Sequence, residues 1–287
     1  MRLTLRTLFW LLRRSLYATL DDGCLGIAKG AAYSALLSFF PVLASAATIL
    51  VQTRAEFVSK LLEDTLDQIV PPGSETLVMQ QFRVAGARPV TLLIVAFAIS
   101  VWAASGVIKS LMEGFQIIYR VPRGRGFLQT QGVAIALVLL AAAPLVCATA
   151  LTIFGNQVET TTLAWLKVDP ILSPLAGSMR VVSRAARYLL AFFTTVSVTC
   201  TLYWFGPYRR QRFRFVWPGA VLATIVWLAA TGGFAWYVRN MGNYNVMYGS
   251  IGAGIALLVW MYLMAVIALI GCEFNAEYER AADGAVR

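Results

Sequence analysis

From Ile251 to Gly271 the chain runs without a charged side chain, through Ile, Ala, Leu, Val, Trp and Met. A helix needs about 20 apolar residues to cross the hydrocarbon core of a bilayer, and this run meets that length. In lipid every backbone N–H and C=O must be satisfied within the segment, which leaves an α-helix as the economical solution. The run ends abruptly at Glu273, Asn275, Glu277 and Glu279. It is preceded by the polar, aromatic and glycine-rich stretch Tyr244, Asn245, Tyr248, Gly249 and Ser250. Small residues crowd its start. Gly249 with Ala253 and Gly252 with Ala256 are small-xxx-small pairs, which let a second helix approach closely.

Other runs of membrane length follow the same pattern. The 287 residues are 59% hydrophobic and 13% charged, against about 25% charged in soluble domains. The expected fold class is therefore all-α: a polytopic membrane protein with six transmembrane helices and amphipathic extramembrane helices. The spans fall at about 27–51, 90–112, 132–154, 185–205, 215–238 and 247–271, forming one transmembrane domain over 27–271. Residues 1–26 are expected as an N-terminal amphipathic helix on the inner membrane surface. There Leu5, Phe9, Leu12 and Leu16 recur at helical spacing, with Arg2, Arg6 and Arg13 elsewhere on the turn. Arg13 and Arg14 interrupt the apolar stretch, so it does not read as a cleavable signal. Residues 52–89 are expected as an outer helical hairpin broken at Pro71-Pro72-Gly73, and 272–287 as a cytoplasmic tail.

Net charge is +10. In a soluble protein that balance would point to nucleic acid, but here the positive charges gather in short loops between apolar runs. The clusters are Arg120, Arg123 and Arg125 in one loop and Arg209, Arg210, Arg212 and Arg214 in another. Summed with both tails, 13 basic residues fall on that side and eight on the other, where the loops are longer and hold seven acids. The positive-inside rule then places both termini in the cytoplasm. Two sets of three spans would be oppositely oriented, as in inverted-repeat transporters, although the halves show no sequence similarity.

Candidate functional residues are few. There is no His, which removes the commonest general base, proton shuttle and metal ligand. Cys24, Cys147, Cys200 and Cys272 are widely spaced and suggest neither a disulfide framework nor a zinc site. No cofactor and no metal are expected. The polar set Lys109, Glu113, Glu273 and Asn275 falls near the cytoplasmic ends of the second and sixth spans. Ionisable groups at such depth are costly unless paired or facing water. The expectation is that these spans are neighbours, with Lys109 paired to Glu113 or Glu273 at the mouth of a cavity. Glu277, further along, should be tolerant of change. The plainer reading is that all four anchor helix ends at the headgroups. Pro41 and Pro144 lie mid-span, where each removes a backbone hydrogen bond and is expected to kink its helix or require a neighbouring group to compensate. Ser105, Gly106, Gly249, Ser250, Gly252 and Ala253 are candidate packing residues.

Three segments together resemble the YihY/BrkB family of bacterial inner-membrane proteins. They are Gly30-Ala31-Ala32-Tyr33-Ser34 through Pro41; Ser105-Gly106 through Lys109-Ser110-Leu111-Met112-Glu113-Gly114-Phe115, then Tyr119-Arg120-Val121; and Tyr248-Gly249-Ser250-Ile251-Gly252-Ala253, then Trp260-Met261-Tyr262 and Gly271-Cys272-Glu273-Phe274-Asn275. Their order and spacing cover nearly the whole chain from Ile27 to Glu279. Gln116 stands where the family often has Asn, and Cys272 where a plain small residue is usual. The resemblance implies a six-helix, multi-pass protein of the bacterial inner membrane. Members carry labels as virulence factors linked to serum resistance and as ribonuclease BN, and some are suspected of moving lipids.

Two function classes follow. One is a transporter or translocator of lipids or other envelope amphiphiles, supported by the mid-span prolines, the glycine-rich span ends and the polar set. The other is a non-transporting scaffold for envelope assembly or virulence, docking envelope-protein partners through its outer hairpins. The expected partners are thus membrane lipids and envelope proteins, with no nucleic acid; the oligomeric state is not legible. An enzyme is not expected. A nuclease needs clustered carboxylates with metal, or His-based acid–base chemistry. No acid lies between Glu113 and Glu159, nor between Asp169 and Glu273.

Overall fold

The computed structural model describes residues 5–52, 90–122, 124–165, 174–240 and 244–284. The proposed outer hairpin at 52–89 lies almost wholly outside them. The described residues form seven helices: α1 (Leu5–Asp21), α2 (Cys24–Gln52), α3 (Val90–Ile118), α4 (Phe127–Trp165), α5 (Pro174–Phe205), α6 (Phe213–Asn240) and α7 (Tyr244–Gly284). No strand occurs among the described residues. Six helices, α2 to α7, are long and apolar enough to cross a membrane. Their outward faces carry large apolar side chains, including Phe97, Trp102, Leu140, Leu189, Phe193 and Trp236. An apolar surface distributed over every long helix suits lipid and not water.

Helix ends differ from the spans read off hydropathy. The helix containing the sixth span does not stop at Gly271 but continues to Gly284, and the third-span helix runs on to Trp165. Hydropathy marks where a helix leaves hydrocarbon, not where its hydrogen bonding ends. The first span begins at Cys24, directly after Gly23, whose φ of 66° is open to glycine at little cost. That residue ends α1 and turns the chain: the Gly23 N–H donates to the Leu20 carbonyl, and the Gly26 N–H donates to Gly23. α5 starts at Pro174, a first-turn position where the missing N–H costs nothing. α2 and α4 are continuous through Pro41 and Pro144.

α7 organises the bundle, packing against α1, α2, α3 and α6. α2 and α3 form an antiparallel seam of small residues. The pairs Ser45–Ser100, Ser34–Gly106, Gly30–Ser110 and Ile27–Gly114 follow one another, one index falling as the other rises. The Ser45 and Ser100 hydroxyls are 2.8 Å apart. Each also lies within hydrogen-bond reach of a carbonyl of its own helix, Pro41 for Ser45 and Ala96 for Ser100; with one proton apiece, one hydroxyl donates across the seam while the other donates back. Ser105 on α3 accepts from Gln131 Nε2 of α4 at 2.9 Å. Ser105, Gly106, Ser34 and Gly30 therefore all act at helix interfaces. Gly252 and Ala253 are buried in the third turn of α7. Gly249 and Ser250 stand in its first turns.

α1 is amphipathic as expected, but the face it gives to the protein is a narrow one. Leu11, Ser15 and Thr19 are buried, while Phe9, Leu16 and Leu20 are exposed. Ser15 and Thr19 satisfy their own hydroxyls by donating to carbonyls four residues earlier. The broad apolar stripe of α1 is thus left facing away from the bundle.

Candidate functional site

Four of the helices meet around α7 near one end of the bundle. α6 crosses α7 at Gly219 and Gly271, backbone against backbone. Pro218, just before, has no N–H, and its ring crowds the preceding turn. Asn275 satisfies the backbone opened there. The Gly219 N–H donates to Asn275 Oδ1 at 2.7 Å, and Asn275 Nδ2 donates to the Val216 carbonyl at 2.8 Å. Asn275 is fully buried, so both bonds lie out of water, where an unmade one would cost most. Tyr203 of α5 donates its hydroxyl to the Ala268 carbonyl at 2.6 Å and packs edge-on against Phe115 of α3.

One and a half turns along α7 is a network of charges. Glu273 is fully buried and Glu277 is 3% exposed. Arg280 Nη1 bridges both, at 3.2 Å to Glu273 Oε1 and 2.5 Å to Glu277 Oε1. Its Nη2 donates to the Ile118 carbonyl at the end of α3, at 2.5 Å. Arg14 of α1 pairs with the other oxygen of Glu277. Glu273 Oε2 is buried without a hydrogen-bond partner. The network ties the middle of α1 to the C-terminal ends of α3 and α7.

Of the expected polar set, α3 and α7 are indeed neighbours, and Glu273 and Asn275 are both buried on α7 but about 200° apart around the helix, Asn275 against α6 and Glu273 against Arg280. Lys109 and Glu113 stand apart from them. Gly114 meets Leu269, and the Ile118 carbonyl meets Arg280, so α3 and α7 run parallel. Lys109 comes before that first level and Glu273 after it. Glu113 is exposed, and the ion pair of Glu273 runs to Arg280, not to Lys109. Glu277 is no outlying tail residue; it has two arginine partners. Sequence reasoning missed Arg14, Glu277 and Arg280. The available signal was the spacing Glu273, Glu277, Arg280, which puts all three on one face once the helix is carried past Gly271.

Between α2, α3, α6 and α7 lies a cavity of about 460 Å³. Ala35, Phe39, Val107, Trp227, Trp260 and Met264 are among the residues that line it. None of the four polar residues does. Lys109 is two residues from both Val107 and Leu111, about 200° around the helix from these two lining positions. The wall is apolar save for Ser38, whose hydroxyl donates to the Ala35 carbonyl, and the indole of Trp260. Trp260 Nε1 is buried with no hydrogen-bond partner. Among the described residues no three His, Cys, Asp or Glu side chains gather as metal ligands would.

Six apolar crossings around a small-residue core, with a buried ion-pair network near one end, define a polytopic α-helical membrane protein. The family profile described as Virulence factor BrkB matches residues 15–287, and the chain belongs to that family. Similar proteins include a UPF0761 membrane protein of Alkalilimnicola ehrlichii (strain ATCC BAA-1101 / DSM 17681 / MLHE-1), 30% identical over 262 residues. The alignment covers 88% of this chain and 55% of that one. A UPF0761 membrane protein of Chlorobium phaeobacteroides (strain DSM 266 / SMG 266 / 2430) is 26% identical over 85% of this chain and 51% of its own length. A ribonuclease-like protein, YfkH, of Bacillus subtilis (strain 168) is 29% identical over 85% of this chain and 86% of its own. The chain thus spans most of the Bacillus relative but about half the length of the two UPF0761 proteins. No solved structure matches it.

Proposed function

We propose that this protein is a translocator of lipids or similar envelope amphiphiles in the bacterial inner membrane. The observation that carries the reading is the apolar cavity among α2, α3, α6 and α7 with the partnerless Trp260 N–H in its wall. Its volume is in the range of small-molecule sites, about 300–1,000 Å³. An apolar wall excludes ions and sugars but suits an acyl chain. A lone indole donor in such a wall would favour an ester carbonyl, since an unmet buried N–H is costly. The buried carboxylates near the bundle end serve in this reading as helix ties and not as the mouth of the cavity.

The test is a lipid-flip assay in proteoliposomes carrying a fluorescent phospholipid, with the outer leaflet quenched chemically. The wild-type chain should speed the loss of inner-leaflet signal. Ala35→Leu, which fills the cavity, and Trp260→Phe, which removes the donor, should slow it while leaving thermal stability in detergent near wild type. Wild-type vesicles that behave like empty ones would leave a scaffold role as the better reading.

A further inference from the structure

A second concavity, of about 610 Å³, lies at the loop between α5 and α6. Arg125, Trp204, Tyr208, Arg209, Arg210 and Gln211 are among the residues that line it. The arginines come from two loops far apart in sequence, and the structure locks them together. Arg125, just before α4, donates from Nη1 to the Gly206 carbonyl at 2.8 Å and from Nη2 to the Phe205 carbonyl at 2.7 Å. Its guanidinium also lies over the Tyr208 ring, 5.2 Å from the centroid. Arg209 is held by Glu279 at 2.6 Å and lies over Tyr119.

The charges around this hollow do not cancel. Glu279 is committed to Arg209. Arg125 has only neutral carbonyl and aromatic partners, and Arg210 is exposed with no ion pair among the described residues. No acidic residue lines the hollow. Arginines that only set orientation in the membrane need a position in the loop, not a shared concavity or a fixed rotamer. A guanidinium held in place by carbonyls, with other donors left over, is the arrangement that recognises phosphate. A second observation narrows the ligand. Gln211 Nε2 donates to the Tyr203 carbonyl at 3.2 Å, while Gln211 Oε1 is buried without a partner. That oxygen calls for a hydroxyl or amine donor.

We propose that this hollow binds a phosphate-bearing headgroup whose phosphate is flanked by a hydroxyl or amine. Arg125 and Arg210 hold the phosphate oxygens, and Gln211 accepts from the neighbouring donor. Trp204 and Phe205, at the end of the α5 span, place the site where a bilayer headgroup layer would lie, and a free phosphorylated solute has the same chemistry. The site does not depend on translocation: a scaffold could hold the same ligand.

The purified full chain in detergent would be titrated with short-chain phosphatidylglycerol, short-chain phosphatidylcholine, glycerol phosphate and inorganic phosphate, with binding read by calorimetry. Phosphatidylglycerol should bind, more weakly as salt rises, and more tightly than phosphatidylcholine, whose headgroup has no N–H or O–H. Arg210→Gln, at an exposed position that folding does not need, should weaken it about tenfold. Arg13→Gln, on the exposed side of α1, should leave it unchanged. If glycerol phosphate binds as well as the lipid and displaces it, the source is a soluble phosphate; if only the lipid binds, the source is the bilayer. Absence of binding by all four probes, or equal losses in Arg210→Gln and Arg13→Gln, overturns the proposal.

Discussion

Gly219 of α6 and Gly271 of α7 pack so closely that a Cβ added to Gly219 would overlap the Gly271 carbonyl oxygen. A Cβ on Gly271 would meet the Tyr203 hydroxyl at 2.5 Å and Ala223 Cβ at 2.7 Å. In a membrane no hydrophobic effect draws helices together, so association rests on this kind of close approach. Gly219→Ala and Gly271→Ala should each destabilise the fold, by about 1–3 kcal/mol. Gly232→Ala on α6 has nothing within 4 Å of the new methyl and should be neutral or slightly stabilising. Thermal unfolding in detergent compares the three. Equal midpoints for all of them would refute the crossing.

Asn275 bridges the same crossing by hydrogen bonds and not by size. Asn275→Leu leaves the Gly219 N–H and the Val216 carbonyl without that partner in a buried site, at a cost of about 1–3 kcal/mol for each group left unmet. Asn275→Asp keeps the acceptor for Gly219 but sets an anion against the Val216 carbonyl, and should be no better. Retention of monodisperse, folded protein on size-exclusion chromatography for wild type alone is the expected result.

The two buried glutamates should behave differently. Glu277→Ala removes a partner from both Arg14 and Arg280 and should cost about 2 kcal/mol. That is less than the 3–5 kcal/mol for breaking a fully buried pair, because both arginines reach water. Glu273→Gln keeps an oxygen for Arg280 and takes the charge from a group whose second oxygen has no partner, so it should cost less. A double-mutant cycle between Arg14 and Glu277 measures the tie between α1 and α7. A Glu277→Ala variant as stable as wild type would show the network to be idle.

The orientation prediction rests on the arginine-rich end of the bundle, where Arg14, Arg125, Arg209 and Arg280 all sit. A reporter active only in the cytoplasm, fused after Arg287, should be active. Activity of a periplasmic reporter at the same point would invert the topology.

Purified protein should not cleave RNA, despite the ribonuclease-like name of the Bacillus relative. The buried carboxylates at Glu273 and Glu277 are tied up by arginine, and water has no access to Glu273. RNA cleavage that copurifies with the protein and vanishes in Glu273→Gln would contradict this.

The six crossings were legible because length and apolarity alone decide whether a segment can span a bilayer. The interfaces of α3 were half legible: Ser105 and Gly106 stood out as small residues, but their partners, Gln131 on α4 and Ser34 on α2, follow from tertiary register, which no local pattern encodes. The polar cluster was legible in its residues and not in its pairing. Lys109 and Glu113 have the right spacing for a pair, yet spacing does not reveal which side of a helix meets its neighbours. Arg14 and Arg280 escaped notice because each sits in a segment read as a surface helix or a loose tail. The arginine hollow was hidden as well, since the positive-inside rule explains its charges without asking whether two loops converge.

α7 is the last of the seven described helices, yet it is the one that α1, α2, α3 and α6 rest against. Synthesis therefore delivers the earlier helices to the bilayer before the surface they pack on exists. Until α7 arrives, Arg14 has no Glu277, the Ile118 carbonyl has no Arg280, and the Gly219 turn has no Asn275. The half-made bundle can close the α2–α3 seam and its other early contacts, but these polar groups stay unmet. A nascent chain stalled before Gly271 would then be a target for quality control and not a partly working protein.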